Sequence, residues 1–148
     1  MKIEGELKQR FVNIHKRAQL NIMYSGNWLV DRAKEVLKPM GITHQQFNIL
    51  KILKGKYPNS CASYNIKEVM LDKGPDITRL IDRLIEKQLV KRTVCKENRR
   101  KLDIILSDKG LVLVNKIEPY MRKKFLDQKR ITNKEASELN RILDKMRG

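Results

Sequence analysis

The stretch from Leu71 to Gly110, LDKGPDITRLIDRLIEKQLVKRTVCKENRRKLDIILSDKG, constrains the fold of this chain more than any other. It opens on the turn Asp72-Lys73-Gly74, with Pro75 where a first helical turn tolerates a residue lacking its N–H. The next residues predict a helix with Ile77, Leu80, Ile81, Leu84 and Ile85 on one face. Asp76, Thr78, Arg79, Asp82, Arg83 and Glu86 fall on the other. Two runs rich in β-branched and apolar residues, Leu89–Val94 and Leu102–Leu106, then bracket Lys96-Glu97-Asn98-Arg99-Arg100 as a hairpin turn. Ser107 caps another helix. A helix fit for a DNA major groove, followed at once by a hairpin with arginines at its tip, is the layout of a winged helix-turn-helix.

The side chains agree with that layout. Lys73, Asp76, Ile77, Thr78, Arg79 and Arg83 lie on or near the solvent side of the helix. Thr78 and Ile77 can touch a thymine methyl, Arg79 can take a guanine edge, and Arg83, further along, suits a phosphate. The competing reading is a solvated face with intrahelical pairs such as Arg79–Asp82 or Arg83–Glu86. The turn argues against it. A solubilising turn more often carries Asn-Gly or Asp-Gly, whereas Arg99 and Arg100, with Lys96 and Asn98 beside them, suit the negative potential of a narrow minor groove.

The flanks predict further helices. Leu7, Phe11, Ile14, Ala18, Ile22, Leu29, Ala33 and Val36/Leu37 recur at helical spacing over about eight turns, weakened only at Ser25-Gly26. Pro39 and Gly41 end this helix. A Thr43-x-x-Gln46 capping box opens the next, with Phe47, Ile49, Leu50, Ile52 and Leu53 inward. Ser63 is the expected cap of a short helix with Ile66, Val69 and Met70 inward. Beyond the hairpin, Leu111, Val112, Val114, Ile117, Tyr120, Met121, Phe125 and Leu126 are candidates for burial, with Pro119 a kink site. Thr132-Asn133-Lys134-Glu135 caps a last helix with Leu139, Ile142, Leu143 and Met146 inward. One compact subunit cannot cover so much apolar stripe, which predicts a partner subunit.

Composition excludes other classes. At 148 residues the chain suits one domain with a real core. No apolar run approaches a membrane span, and MKIEGELKQRF has no apolar core, so no secretory leader is expected and the expected location is cytoplasmic. The net charge of +16 implies an anionic partner, nucleic acid above all. It is spread over the chain, however, and residues 60–110 carry only +4 of it. Cys61 and Cys95 are expected as free thiols, one packed in a strand. A redox-sensing role for Cys95, near Arg92, Lys96 and Arg99 in sequence, is the alternative. His15 and His44 have no Cys or carboxylate partner at ligand spacing, so neither metal nor cofactor is expected. With no nucleophile–base pair and no Gly-rich phosphate loop, the chain is not expected to be an enzyme.

In its order of motifs the sequence resembles the MarR family of winged-helix regulators over nearly its whole length. Pro39-x-Gly41-Ile42-Thr43-x-x-Gln46-Phe47-x-Ile49-Leu50 is similar to that family's second-helix opening. Asp72-Lys73 with Thr78-Arg79-Leu80-Ile81-Asp82-Arg83-Leu84 is similar to its recognition helix, and Leu89-Val90-x-Arg92 to its strand entry. Asn98-Arg99-Arg100 and Ser107 stand at the wing signature, with Asn98 where the family usually has Asp and Gln88 where it usually has Gly.

The resemblance implies a mainly α fold with a small β-hairpin wing and one MarR-like domain over residues 1–148. Residues 42–107 would form the winged-helix lobe, and residues 1–38 and 108–148 the helices of a homodimer interface. It further implies a repressor on a near-palindromic operator in double-stranded DNA, released by a small aromatic effector. Met23, Tyr24, Trp28 and Phe47 are the candidates to line an effector crevice, against ordinary core packing for aromatics at helical spacing. A nonspecific basic architectural protein and a thiol-based redox regulator are the alternatives.

Overall fold

The structure is a computed structural model that describes residues 2–74, 76–95, 98, 102–125 and 130–148. Along the chain these form α1 (Ile3–Leu7), α2 (Ile14–Leu37), a 3-10 turn (Lys38–Met40), α3 (His44–Lys56), α4 (Ser63–Val69) and α5 (Ile77–Glu86). The strands β1 (Val90–Val94) and β2 (Leu102–Leu106) follow, then α6 (Asp108–Phe125) and α7 (Asn133–Arg147). The architecture is mainly helical with one antiparallel hairpin, as expected.

The long first helix starts later than the apolar spacing predicts. Lys8 adopts a left-handed conformation (φ 49°) that stops α1. Asn13 Oδ1 accepts from the His15 and Lys16 amides at 2.8 and 3.1 Å and opens α2 afresh. The spacing of Leu7 and Phe11 thus runs on through residues that are not helical, while Gly26 sits inside α2 without interrupting it. Arg17 pairs with Glu4 at 2.7 Å and the Tyr24 hydroxyl donates to Glu6 at 2.8 Å, tying α1 back onto α2. At the far end Gly41 (φ 68°) takes a backbone conformation that L side chains rarely adopt.

The Thr43/Gln46 capping box forms in full. The Thr43 hydroxyl accepts from the Gln46 amide at 3.2 Å, and Gln46 Oε1 from the Thr43 amide at 3.1 Å. Ile49, Leu50 and Leu53 are fully buried behind it. The start of α4 departs from expectation by one residue. Ser63 is helical, and Ala62 holds the cap position without a side-chain acceptor. Of its expected inward residues Ile66 and Met70 are buried, but Val69 faces solvent.

Val90 pairs with Leu106 and Val94 with Leu102 across the hairpin. On the other edge of β2, Cys61 exchanges both backbone hydrogen bonds with Ile104, each 2.8 Å. One core cluster joins Ala33 and Leu37 of α2, Leu50 of α3, Ile81 and Leu84 of α5, Ile104 of β2 and Ile117 of α6. It seats α5 and the hairpin on the long helices.

In α6 Val112 and Tyr120 are exposed rather than buried, because only Val114 and Ile117 turn squarely to the core; Leu126 lies outside the described residues. The Thr132/Glu135 capping box opens α7, as read. No residue of α7 is buried within the chain, and Leu139, Ile142 and Met146 stay about half exposed. Among the described residues no helix is long and apolar enough to cross a membrane.

Candidate nucleic-acid interface

The helix α5 is built at its start by Asp76. This residue is the N-cap, its Oδ1 accepting from the Thr78 amide at 3.0 Å and the Arg79 amide at 3.4 Å. Asp72 organises the turn before it in the same way, accepting from the Gly74 amide at 3.0 Å. Pro75 lies outside the described residues.

Ile77, Ile81 and Leu84 are buried, which sets the opposite face outward. Ile77, expected to reach a thymine methyl, is therefore corrected to a core residue. As the first helical position after the cap, it is drawn into the hydrophobic cluster. Lys73, Asp76, Thr78, Arg79 and Arg83 are exposed.

The intrahelical pairs that the sequence allows, Arg79–Asp82 and Arg83–Glu86, do not form. Asp82 instead pairs with Arg92 of β1, and neither Arg79 nor Arg83 has an ion-pair partner among the described residues. Of the two carboxylates nearest the reading face, Asp76 is occupied by amides and Asp82 by a guanidinium. Toward the start and middle of α5 a hydroxyl and two guanidiniums, Thr78, Arg79 and Arg83, remain outward, with the exposed Glu86 carboxylate at the helix end. The first three are a donor set suited to base edges and phosphates.

The helix ends on a full Schellman motif without glycine. The Gln88 amide donates to Ile85 O at 2.8 Å and the Leu89 amide to Leu84 O at 2.9 Å, with Gln88 left-handed at φ 60°. Leu84 and Leu89 are both buried, so the turn into β1 is fixed by backbone and core together. Ser107 braces it from the other side, its hydroxyl donating to Gln88 O at 2.8 Å and accepting from the Gly110 amide at 2.9 Å.

At the wing tip, Asn98 is exposed, while Lys96, Arg99 and Arg100 lie outside the described residues. Cys95 is half-buried where β1 ends, and Cys61 is the buried thiol, its ionisation pushed up by burial. Both thiols are free as expected, but neither lies within a strand: Cys61 bridges to β2 from outside it and Cys95 follows β1.

An apolar crevice of about 440 Å³ opens between α2, α3 and α6. Phe47 lines it with Leu29, Ala33, Met121 and Phe125, and His44, Lys51 and Asp72 stand at its edges. Burial holds the His44 imidazole below its usual range, with Lys34 adding to the effect and Asp72 opposing it. Met23, Tyr24 and Trp28, read with Phe47 as one crevice, do not line it. Met23 is exposed, Tyr24 bonds Glu6, and the Trp28 ring lies 4.7 Å under the Arg32 guanidinium. Leu29 and Ala33 recur with Leu37 four residues apart on one stripe of α2, a spacing present in the sequence that does not by itself say the stripe faces a crevice. Among the described residues, no three His, Cys, Asp or Glu side chains come together to hold a metal.

Comparison with known proteins places this geometry. Residues 42–102 match the model of the MarR family. A MarR transcription factor from Planctomyces limnophilus is 31% identical, with 93% of this chain and 98% of that one covered and a TM-score of 0.67. A mutant MarR from E. coli complexed with operator DNA is 22% identical over 93% and 99% of the two chains, with a TM-score of 0.79. BpsR of Bordetella bronchiseptica, whose DNA binding is described as regulated by 6-hydroxynicotinic acid, is 17% identical over 93% and 97%, with a TM-score of 0.77. No curated protein matches the sequence.

Proposed function

Because the chain belongs to the MarR family, we propose that it is a homodimeric, sequence-specific regulator that occludes a promoter by binding a near-palindromic site in double-stranded DNA. Thr78 and Arg79 read base edges in the major groove, Arg83 and Lys73 hold phosphates, and the wing with Asn98, Arg99 and Arg100 tracks the minor groove. The observation that carries the reading is the clearing of the α5 face. Asp76 and Asp82, the carboxylates beside Thr78 and Arg79, are tied up, while Arg79 and Arg83 keep no ion-pair partner among the described residues.

Dimerisation is supported by the apolar surface that the single chain leaves open. Leu139, Ile142 and Met146 on α7 and Ile14, Ile22 and Met23 on α2 are each at least 40% exposed. Residues 1–38 and 108–148 supply that interface, and 42–107 the DNA-binding lobe. The crevice holding Phe47 suits a small aromatic effector, whose occupancy would shift the lobe relative to the long helices.

Duplexes selected from a random pool, and the DNA upstream of the coding region, provide the test. Against a scrambled duplex at two salt concentrations, the proposal expects a preference of about a thousandfold or more. Equal affinities would establish the nonspecific architectural reading instead.

A further inference from the structure

Beside the outward face of α5, a second charged concavity lies where the end of α2, the 3-10 turn, the start of α3 and the second half of α5 converge. It encloses about 610 Å³. Lys34, Lys38, Arg83 and Lys87 line it, and no acidic side chain does among the described residues. The four cations come from three separate elements, so local helix periodicity does not account for their meeting.

Each is available to an anion. Lys38 and Arg83 have no ion-pair partner among the described residues. Lys34 reaches only Asp31, at 2.8 Å, in a pair whose side chains are both more than 60% exposed. Such a pair is held weakly and is exchanged readily. Lys87 donates to the Gly41 carbonyl, which fixes its ammonium at the cleft and leaves two of its three N–H donors. The start of α3 adds backbone donors. Thr43 occupies the Gln46 amide, and the His44 and Gln45 amides have no acceptor among the described residues.

We propose that this cleft binds a phosphate group, and that its ligand is a backbone phosphate of the operator flanking the bases read by α5. Arg83 joins the two surfaces, lying one helical turn beyond Arg79 on α5 and at the cleft wall. The DNA source rests on the function proposed above; the phosphate chemistry rests on the cleft alone. The lysines explain how residues outside the reading segment, which is the least basic part of the chain, contribute to affinity.

The test uses the full-length protein and a Lys34→Gln/Lys38→Gln double variant, both positions being exposed. Salt titrations with the preferred duplex form the first arm. The variant is expected to bind about tenfold more weakly, with the slope of log K against log salt shallower by about one per protomer, as for one lost phosphate contact. The second arm titrates inorganic pyrophosphate into the DNA-free protein and follows the His44 and Gln45 amide signals. Saturable binding that the variant loses, with the duplex slope unchanged, assigns the cleft to a free phosphate ligand. Unchanged slope together with no pyrophosphate binding overturns the proposal. If the wild type binds no duplex at all, the regulator reading fails, and the pyrophosphate arm alone decides the cleft.

Discussion

Gly110 sits directly against the carbonyl of Leu89. A Cβ built at Gly110 would lie 2.1 Å from the Leu89 oxygen and 2.8 Å from the Leu106 side chain. The first turn of α6 is thereby pressed onto the junction between α5 and the hairpin, at the place where Ser107 bonds Gln88. Gly110→Ala is expected to destabilise the protein by about 3 kcal/mol or more, since the obstructing atom is backbone and has no rotamer to yield. Urea unfolding checks this; a loss below 1 kcal/mol would mean that the junction relaxes freely.

Gln88 makes the opposite prediction. It holds a left-handed position that glycine fills without a steric penalty, in a motif whose hydrogen bonds are already complete. Gln88→Gly is expected to stabilise the fold by about 0.5–1 kcal/mol, the relief at φ 60° outweighing the entropy that glycine loses. A lowered midpoint in denaturant would contradict it.

Asp82 of α5 and Arg92 of β1 join the helix to the hairpin through a pair that is nearly half exposed on both sides. Such pairs contribute only about 0–1 kcal/mol to stability. Arg92→Ala is therefore expected to leave the melting temperature within a few degrees of wild type. It should nevertheless weaken DNA binding about tenfold, because it frees a carboxylate beside the proposed reading face and unties the two elements proposed to contact DNA. Exchanging the two residues, Asp82→Arg with Arg92→Asp, should recover part of the loss. If Arg92→Ala lowers stability and binding in proportion, the pair is merely structural.

Glu118 on α6 holds Lys51 and Lys54 of α3, the Lys54 contact being 2.6 Å, and so ties the lobe to a long helix. Hydrogen bonds from these two lysines keep its carboxyl below the usual range. A carboxyl depressed in the folded state contributes stability that is present above its unfolded pKa, about 4.3, and is lost as pH falls through the folded value. Wild type should thus lose more stability than Glu118→Gln between pH ~5 and ~3, the two curves converging at the acid end. The difference near neutrality should stay below about 1 kcal/mol, since the group is a third exposed. Parallel curves across this range would rule out the contribution.

Features set by neighbouring residues were legible in the sequence. Both capping boxes, the hairpin strands and the buried face of α5 form where spacing and cap chemistry put them. Departures arise where a local signal was ambiguous or a distant contact decided. Apolar spacing runs unbroken through Lys8–Asn13, yet Asn13 restarts the helix there. Ile77 fits either face of a first turn until the core claims it. The α2 stripe carries two apolar faces, and only packing against Phe47 and Phe125 shows that Leu29 and Ala33, rather than Met23 and Trp28, line the crevice. The Asp82–Arg92 pair and the cluster at Arg83 join residues of different elements, which no periodicity reports.

The central claim is that the exposed face of α5 reads bases, and Arg79 tests it most directly. Wild type and Arg79→Ala are titrated against a series of duplexes in which each base pair of the preferred site is changed in turn. The predicted result is that the variant loses about 1–3 kcal/mol of discrimination at one base-pair position in each half-site and keeps its preferences elsewhere. An unchanged preference at every position would show that α5 does not read the site.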